Sequence, residues 1–354
     1  MSGTSGQLTR AQLNSTGDWI ASVQLPGGMI PWFPGGHADP WNHTEAAMAL
    51  ALAGRLSEAE AAYEWLRSTQ LADGSWCLYY LAEGIEEPRR DPNVCAYVAA
   101  GVWWHYLETG DRGFLDTMWP VVEAAIGFVV GLQRPGGEIA WSRDVDGAPG
   151  QFALLTANAS IYHSLRCAVA VAEATGRERP GWDLAAERVG ESIADRPSVF
   201  LPKDRWAMDW YYPVLSGALT GEAATARMES GWPVFIMEGL GVRCVASNPW
   251  VTAAETAECV MAAAAVGWHE RAATLLSWTR HLRDEDGAYG TGCVHPQCVR
   301  YPGGERSTYT AAAVLMADHV LFGQGPASGF FLPGGFASSM DQALPPGPER
   351  ARLG

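Results

Sequence analysis

Six short stretches of this chain bring carboxylates and aromatic rings to places where a helix begins. They are Asp39-Pro-Trp-Asn-His-Thr-Glu45, Asp91-Pro-Asn-Val-Cys-Ala-Tyr97, Thr156-Ala-Asn-Ala-Ser-Ile-Tyr162, Asp209-Trp-Tyr-Tyr212, Asn248-Pro-Trp-Val-Thr-Ala-Ala-Glu255 and Arg306-Ser-Thr-Tyr309. Asp or Asn ahead of Pro opens a helix, because its side chain accepts from free N–H groups and Pro fits the first turn. A cap accounts for one polar residue at each opening. It leaves the Trp, His, Tyr and second carboxylate unexplained. The carboxylates in or next to these stretches are Asp39, Glu45, Asp91, Asp209, Glu255 and Glu305. Two carboxyl groups flanking a glycosidic bond can hydrolyse it: one protonates the leaving oxygen while the other activates water or attacks directly. Apolar, Trp-lined surroundings raise the pKa of the group that must hold a proton.

We expect Asp39 and Glu255 to be that pair. Asp39 lies in Pro34-Gly-Gly-His-Ala-Asp-Pro-Trp41, and the nearby His37, Trp41 and His43 are more than an N-cap requires. Glu255 is expected about two turns into a helix otherwise built of Ala, Val and Met, where an acid is costly unless paired or functional. Glu258, three residues on, is expected on the same helix face. Which carboxylate is acid and which is base stays open, with Asp39 the preferred acid. Trp32, Trp41, Trp76, Trp210, Tyr211 and Trp250 are candidate platforms for the apolar faces of sugar rings. Asn93, Asn158 and Arg306 could bond to hydroxyls, with His37, His43, Asp91 and Asp209 also at the substrate. Cys293-Val-His-Pro-Gln-Cys298 could supply three metal ligands, but its spacing is irregular and no second cluster supports it, so no metal or cofactor is expected. GxGxxG at a strand–helix junction, GxxxxGK[ST], GxSxG and HExxH are all absent, which argues against nucleotide and metalloprotease chemistry.

Helical periodicity dominates the chain that must carry these residues, and strand signals are short. The expected helices are Thr9–Val23, Pro40–Leu52, Ser57–Gln70, Pro92–Glu108, Gly113–Leu132, Ala153–Ala174, Trp182–Ile193, Met208–Leu219, Glu222–Glu229, Pro249–Val266, Glu270–Leu282 and Ser307–Leu321. They alternate in character. Ala46-Ala-Met-Ala-Leu-Ala-Leu-Ala53 is apolar all round and must be buried, whereas Leu56 to Arg67 is amphipathic and belongs at the surface. Alternating inner and outer helices predict an all-α (α/α)6 barrel of six hairpins, with the inner N-termini and their dipoles around one mouth. We expect one barrel domain over residues 1–323 and a Gly/Pro-rich C-terminal extension over 324–354.

The bulk properties fit a globular chain of 354 residues, 48% hydrophobic and 18% charged. A formal net charge of −15 argues against nucleic acid or an anionic membrane as partner and leaves a neutral oligo- or polysaccharide open. The seven cysteines are scattered and odd in number, unlike a disulfide framework. With no leader-like N-terminal segment and no apolar run approaching a membrane span, a cytoplasmic location is expected. Oligomeric state is not readable.

Gln70-Leu-Ala-Asp-Gly-Ser-Trp76 resembles the QW motif of triterpene cyclases and their prenyltransferase relatives, and Leu282-Arg-Asp-Glu-Asp-Gly-Ala-Tyr289 is a weaker copy. The DxDD acid and DDxxD diphosphate motifs of those families are missing. The mouth instead resembles (α/α)6 glycoside hydrolases of the glucoamylase-like and mannosidase kinds. More narrowly, Leu8 to Leu321 resembles an actinobacterial group often labelled prenyltransferase, the methylmannose polysaccharide hydrolases. That likeness rests on Asp39-Pro-Trp-Asn-His, Asn248-Pro-Trp…Glu255 and the QW-like turn. It implies an intracellular, endo-acting and inverting enzyme cutting α-1,4-linked (methyl)mannan without a cofactor. A terpene cyclase or prenyltransferase, a non-catalytic carbohydrate-binding barrel and a sugar isomerase using His37 and His43 remain alternatives.

Overall fold

The computed structural model describes residues 6–333. Within them, twelve α-helices alternate between two layers. The outer helices are α1 (Arg10–Val23), α3 (Leu56–Thr69), α5 (Arg112–Val130), α7 (Pro180–Asp195), α9 (Gly221–Phe235) and α11 (His269–Ser277). The inner helices are α2 (Pro40–Leu52), α4 (Pro92–Thr109), α6 (Leu155–Ala174), α8 (Ala207–Leu215), α10 (Ala253–Ala265) and α12 (Thr308–Phe322). Each inner helix packs on the next, from α2 through α4, α6, α8 and α10 to α12, and α12 returns to α2. The inner ring is closed: this is an (α/α)6 barrel. Small side chains permit the tight ring. Gly101 of α4 is an example, since a Cβ there would lie 2.2 Å from Thr44 on α2. α5 is long and apolar enough to span a membrane by length and composition, yet it packs along α4 and α6.

One device links successive outer helices. Gln24, Gln70 and Gln133 each follow an outer helix, and each Nε2 donates to a glycine carbonyl four residues on and to a carbonyl of the next outer helix. The receiving carbonyls are Glu58, Val121 and Ala185. Arg283 repeats the link from the end of the outer ring back to Gln12 of α1. The turn glycine in each case has a positive φ, as Gly74 does at +86°, and its backbone lies on the neighbouring helix; a Cβ at Gly74 would sit 2.2 Å from the Ala124 carbonyl. The QW-like motif is therefore a helix-to-helix staple. Its Trp76 is fully buried, the indole donating to the Leu66 carbonyl at 2.9 Å.

The loops at the inner N-termini hold the β-structure. The hairpin β1 (Tyr79–Leu81) and β2 (Gly84–Glu87) follows α3, and Ala38 bridges to Tyr80. A five-stranded antiparallel sheet runs in order through β3 (Ile236–Met237), β4 (Gly241–Arg243), β5 (Trp250–Thr252), β6 (Gly292–Val294) and β7 (Val299–Arg300). This corrects one expected boundary: no helix starts at Pro249. Trp250 to Thr252 pair with β4 and β6, and α10 begins at Ala253. At the opposite end, the chain beyond α12 makes a 3₁₀ turn at Pro326–Gly329 and places Phe330 and Phe331 in the core. Phe330 packs edge-on to Trp104 and His163, and Phe331 stacks on His163. The first part of the expected extension thus stoppers the barrel, while residues 334–354 and 1–5 lie outside the described residues.

Candidate active site

Asp39 is the N-cap of α2 and is 2% exposed. Its Oδ1 accepts from the backbone N–H groups of Trp41 and Asn42, and its Oδ2 accepts from Trp32 Nε1 and Asn42 Nδ2, both at 2.6 Å. Burial raises this carboxyl above the usual Asp range, outweighing the hydrogen bonds that favour the anion. Trp32 is held over the rim because its backbone carbonyl accepts from Thr308 N–H at the start of α12. Its ring meets His37, Tyr79 and Tyr309 edge-on at 4.5, 5.9 and 5.2 Å. His37 stacks on Tyr79 at 4.3 Å, and its Nδ1 is 3.0 Å from Glu86.

Glu255 stands in the first turn of α10, not two turns in, because the preceding residues are strand. It is half-buried, and the Thr252 hydroxyl donates to its Oε2. Burial raises the Tyr309 hydroxyl pKa, and the charge of Glu255 adds to that shift. Asp39, Trp32 and Tyr309 are thus linked by contact, and the Glu255 charge acts on the Tyr309 hydroxyl from the first turn of α10. Asp91 caps α4, and burial pushes its carboxyl up to about 7. Asn93 follows on α4 with its Oδ1 unbonded among the described residues, and Trp250 meets Tyr301 edge-on at 5.2 Å. Trp41 stacks on Tyr97 at 4.3 Å and donates to Ser160.

Below Trp41 lies a cavity of about 20 Å³, room for about one water. Glu45 and Glu258 line it, 2% and 4% exposed. Tyr211 and Tyr212 both donate to Glu258. Burial raises both carboxyls, Glu258 to about 8, and the Glu258 charge raises Glu45 further. Glu258 does not share the setting of Glu255: starting α10 at Ala253 leaves Glu255 on the rim and sends Glu258 into the barrel. The cavity is too small for a sugar ring, so this acid pair belongs to the core.

Several expected binding residues are committed elsewhere. His43 is fully buried, accepting from Ile30 N–H on Nδ1 and donating from Nε2 to the Ala62 carbonyl, and burial lowers its pKa to about 4. Trp76 is the staple described above. Asn158 spends its amide on the Ile139 backbone and the Leu154 carbonyl. Trp210 donates to the Arg227 carbonyl and stacks on Phe235 of α9, and Tyr211 is sealed on Glu258. Asp209 accepts from Thr156 at 2.5 Å and lines a side groove with Lys203 and Arg227. Arg306 turns outward to Asp286 at 2.7 Å. In each case a polar atom or ring finds its partner on a distant segment. Tyr79 and Tyr309 are rim residues that went unnoticed as sugar platforms. Tyr309 closes one of the six helix openings and was open to notice, whereas Tyr79 sits in a hairpin with no mark of its own.

No family model matches the chain. In Mycolicibacterium hassiacum, a protein named MMP endo-(1,4)-3-O-methyl-alpha-D-mannosidase is 50% identical over 345 residues, which is 96% of this chain and 96% of that one. Among solved structures, a wild-type glycosidase superposes with a TM-score of 0.68 at 14% identity, covering 95% of this chain and 98% of its own. A D-mannose isomerase superposes at 0.69 with 12% identity, covering 87% of this chain and 95% of its own. At those identities the two structures speak for the barrel alone.

Proposed function

Because the chain belongs to the family of MMP endo-(1,4)-3-O-methyl-α-D-mannosidases, we propose that it cuts internal α-1,4 bonds of a methylmannose polysaccharide by inversion, with Asp39 as general acid and Glu255 as general base. The chain is a glycoside hydrolase of the mannosidase type. One observation supports the division of roles: the Asp39 carboxyl is buried and its pKa raised, whereas Glu255 is only partly buried. The Asp39 carboxyl gives its proton to the glycosidic oxygen as that oxygen leaves the anomeric carbon. Glu255, oriented by Thr252, takes a proton from the water whose oxygen bonds to the opposite face of that carbon. Solvent then returns the proton from Glu255 to Asp39. Trp32, Tyr79 and Trp250 offer apolar faces to sugar rings and to their methyl groups. The five buried free cysteines suit a reducing compartment, which supports a cytoplasmic setting.

The test is incubation with methylated and unmethylated α-1,4-mannooligosaccharides, with products followed by mass spectrometry and the new reducing end by NMR. Internal fragments carrying the β-anomer first are expected. An α-anomer at early times rules out inversion, and intact substrate of both kinds rules out the substrate class.

A further inference from the structure

Four ligating side chains meet at the β6–β7 hairpin, and none of them is a rim carboxylate. His281 lies in the 3₁₀ turn Trp278–Leu282 after α11, Cys293 in β6, His295 just beyond it and Cys298 in the turn into β7. One donor atom from each lies within 4.8 Å of all the others. Cys293 Sγ is 3.2 Å from His295 Nε2 and 3.6 Å from His281 Nε2. Tetrahedral zinc, with Zn–S near ~2.3 Å and Zn–N near ~2.0 Å, needs neighbouring donors about 3.3–3.8 Å apart. A second observation concerns orientation. His281 Nδ1 is 2.6 Å from the Trp278 carbonyl, so it carries the proton and donates. That leaves the bare lone pair on Nε2, facing the cluster, as in metal-bound imidazoles fixed by a backbone carbonyl. In this structure Cys293 and Cys298 are joined as a disulfide, with Cα atoms 4.9 Å apart. The same four residues thus admit two chemistries, set apart by the oxidation state of the sulfurs.

We propose that, with both sulfurs reduced, His281, Cys293, His295 and Cys298 bind one Zn²⁺ in a closed tetrahedral site. Binding converts two thiols to thiolates and releases their two protons. Four protein ligands leave no open position, so the ion is structural. Its place in the fold defines what it holds. Cys293 pairs with Val251 across β5 and β6, and the next residue, Thr252, both caps α10 and bonds Glu255. The ion fixes the β6–β7 hairpin against the strand that aims the rim carboxylate. The proposal does not depend on which sugar is cut. The spacing of Cys293, His295 and Cys298 offered three ligands in sequence; the fold adds His281 as the fourth.

The test uses the full chain, purified and stripped of metal under a non-chelating reductant, then titrated with Co²⁺ and back-titrated with Zn²⁺. One Co²⁺ per chain is expected, with the visible bands of tetrahedral cobalt and a sulfur-to-metal charge-transfer band, both erased by one equivalent of Zn²⁺. His281 is exposed, so His281→Ala should fold and weaken cobalt binding at least about tenfold. Cys298→Ser should diminish the charge-transfer band. Thiols are counted after unfolding. All seven cysteines reactive with no cobalt spectrum overturns the proposal. So does a persistent loss of two thiols together with the mass of an intact disulfide, and so does wild-type cobalt affinity in His281→Ala.

Discussion

Replacing Trp32 with Phe would assign the role of Asp39. The indole N–H donates to Asp39 Oδ2 at 2.6 Å and favours the carboxylate over the acid. Phe keeps a ring against His37, Tyr79 and Tyr309 but removes that donor. A hydrogen bond to a charged group contributes roughly 1.5–3 kcal/mol net. At about 1.4 kcal/mol per pKa unit, its loss raises the Asp39 pKa by about one to two units. If Asp39 is the general acid, it must be protonated, and its pKa sets the alkaline limb of kcat/KM against pH. That limb should therefore move up by about one to two units in Trp32→Phe, whatever happens to the absolute rate. Movement of the acidic limb instead would make Asp39 the base. Unmoved limbs in a variant with wild-type Tm would refute the placement of Asp39 in the chemistry.

Other outcomes follow from the same structure. Asp39→Asn and Glu255→Gln should each lower kcat about 10²–10⁴-fold with circular dichroism unchanged, since each removes one proton-transfer group; near-wild-type turnover removes that residue from the pair. The Glu258 carboxyl, raised to about 8 in the folded chain, is protonated in both folded and unfolded states below about pH 4.5 and in the folded state alone between there and pH 8. Stability should therefore fall as pH rises through that window, and Glu258→Gln should flatten the Tm profile there; parallel profiles would refute this. Phe330→Ala should cost about 3–5 kcal/mol in denaturant unfolding, because the ring is 1% exposed and seated on Trp104 and His163. His43→Ala should lower Tm while leaving kcat/KM within about twofold, since its ring bonds only backbone; a large kinetic loss at unchanged Tm would return His43 to the site.

The barrel was legible because its signals are local. Ala-rich and amphipathic helices alternate along the chain, and Asp39 and Asp91 cap their helices as their Pro neighbours imply. What escaped depends on partners far away in sequence. Trp250-Val-Thr252 follows a Pro and reads as a helix start, but its β-branched and aromatic residues join strands from both sides. That shift of a few residues separates Glu255 from Glu258. An Asn beside a mouth looks alike whether it meets a sugar or, as Asn158 does, the Ile139 backbone. Trp210 reads as a platform until α9 is laid against it, and Arg306 as a ligand until Asp286 is placed. Trp32 and Trp41 kept their rim positions because they sit within two residues of a loop turn or a cap, where geometry is set nearby.

The stopper of Phe330 and Phe331 bears on how a long polymer can be handled. A ring of six helices open at both ends would admit a thread, and an enzyme gripping a thread can ratchet along it, cut after cut. With one end filled by two phenyl rings, the vessel is blind. A chain longer than the barrel is deep cannot pass through it and must be met from the mouth. Each cut then releases two pieces that part from the surface independently, so early digests should hold fragments of many lengths and not a ladder shed from one terminus.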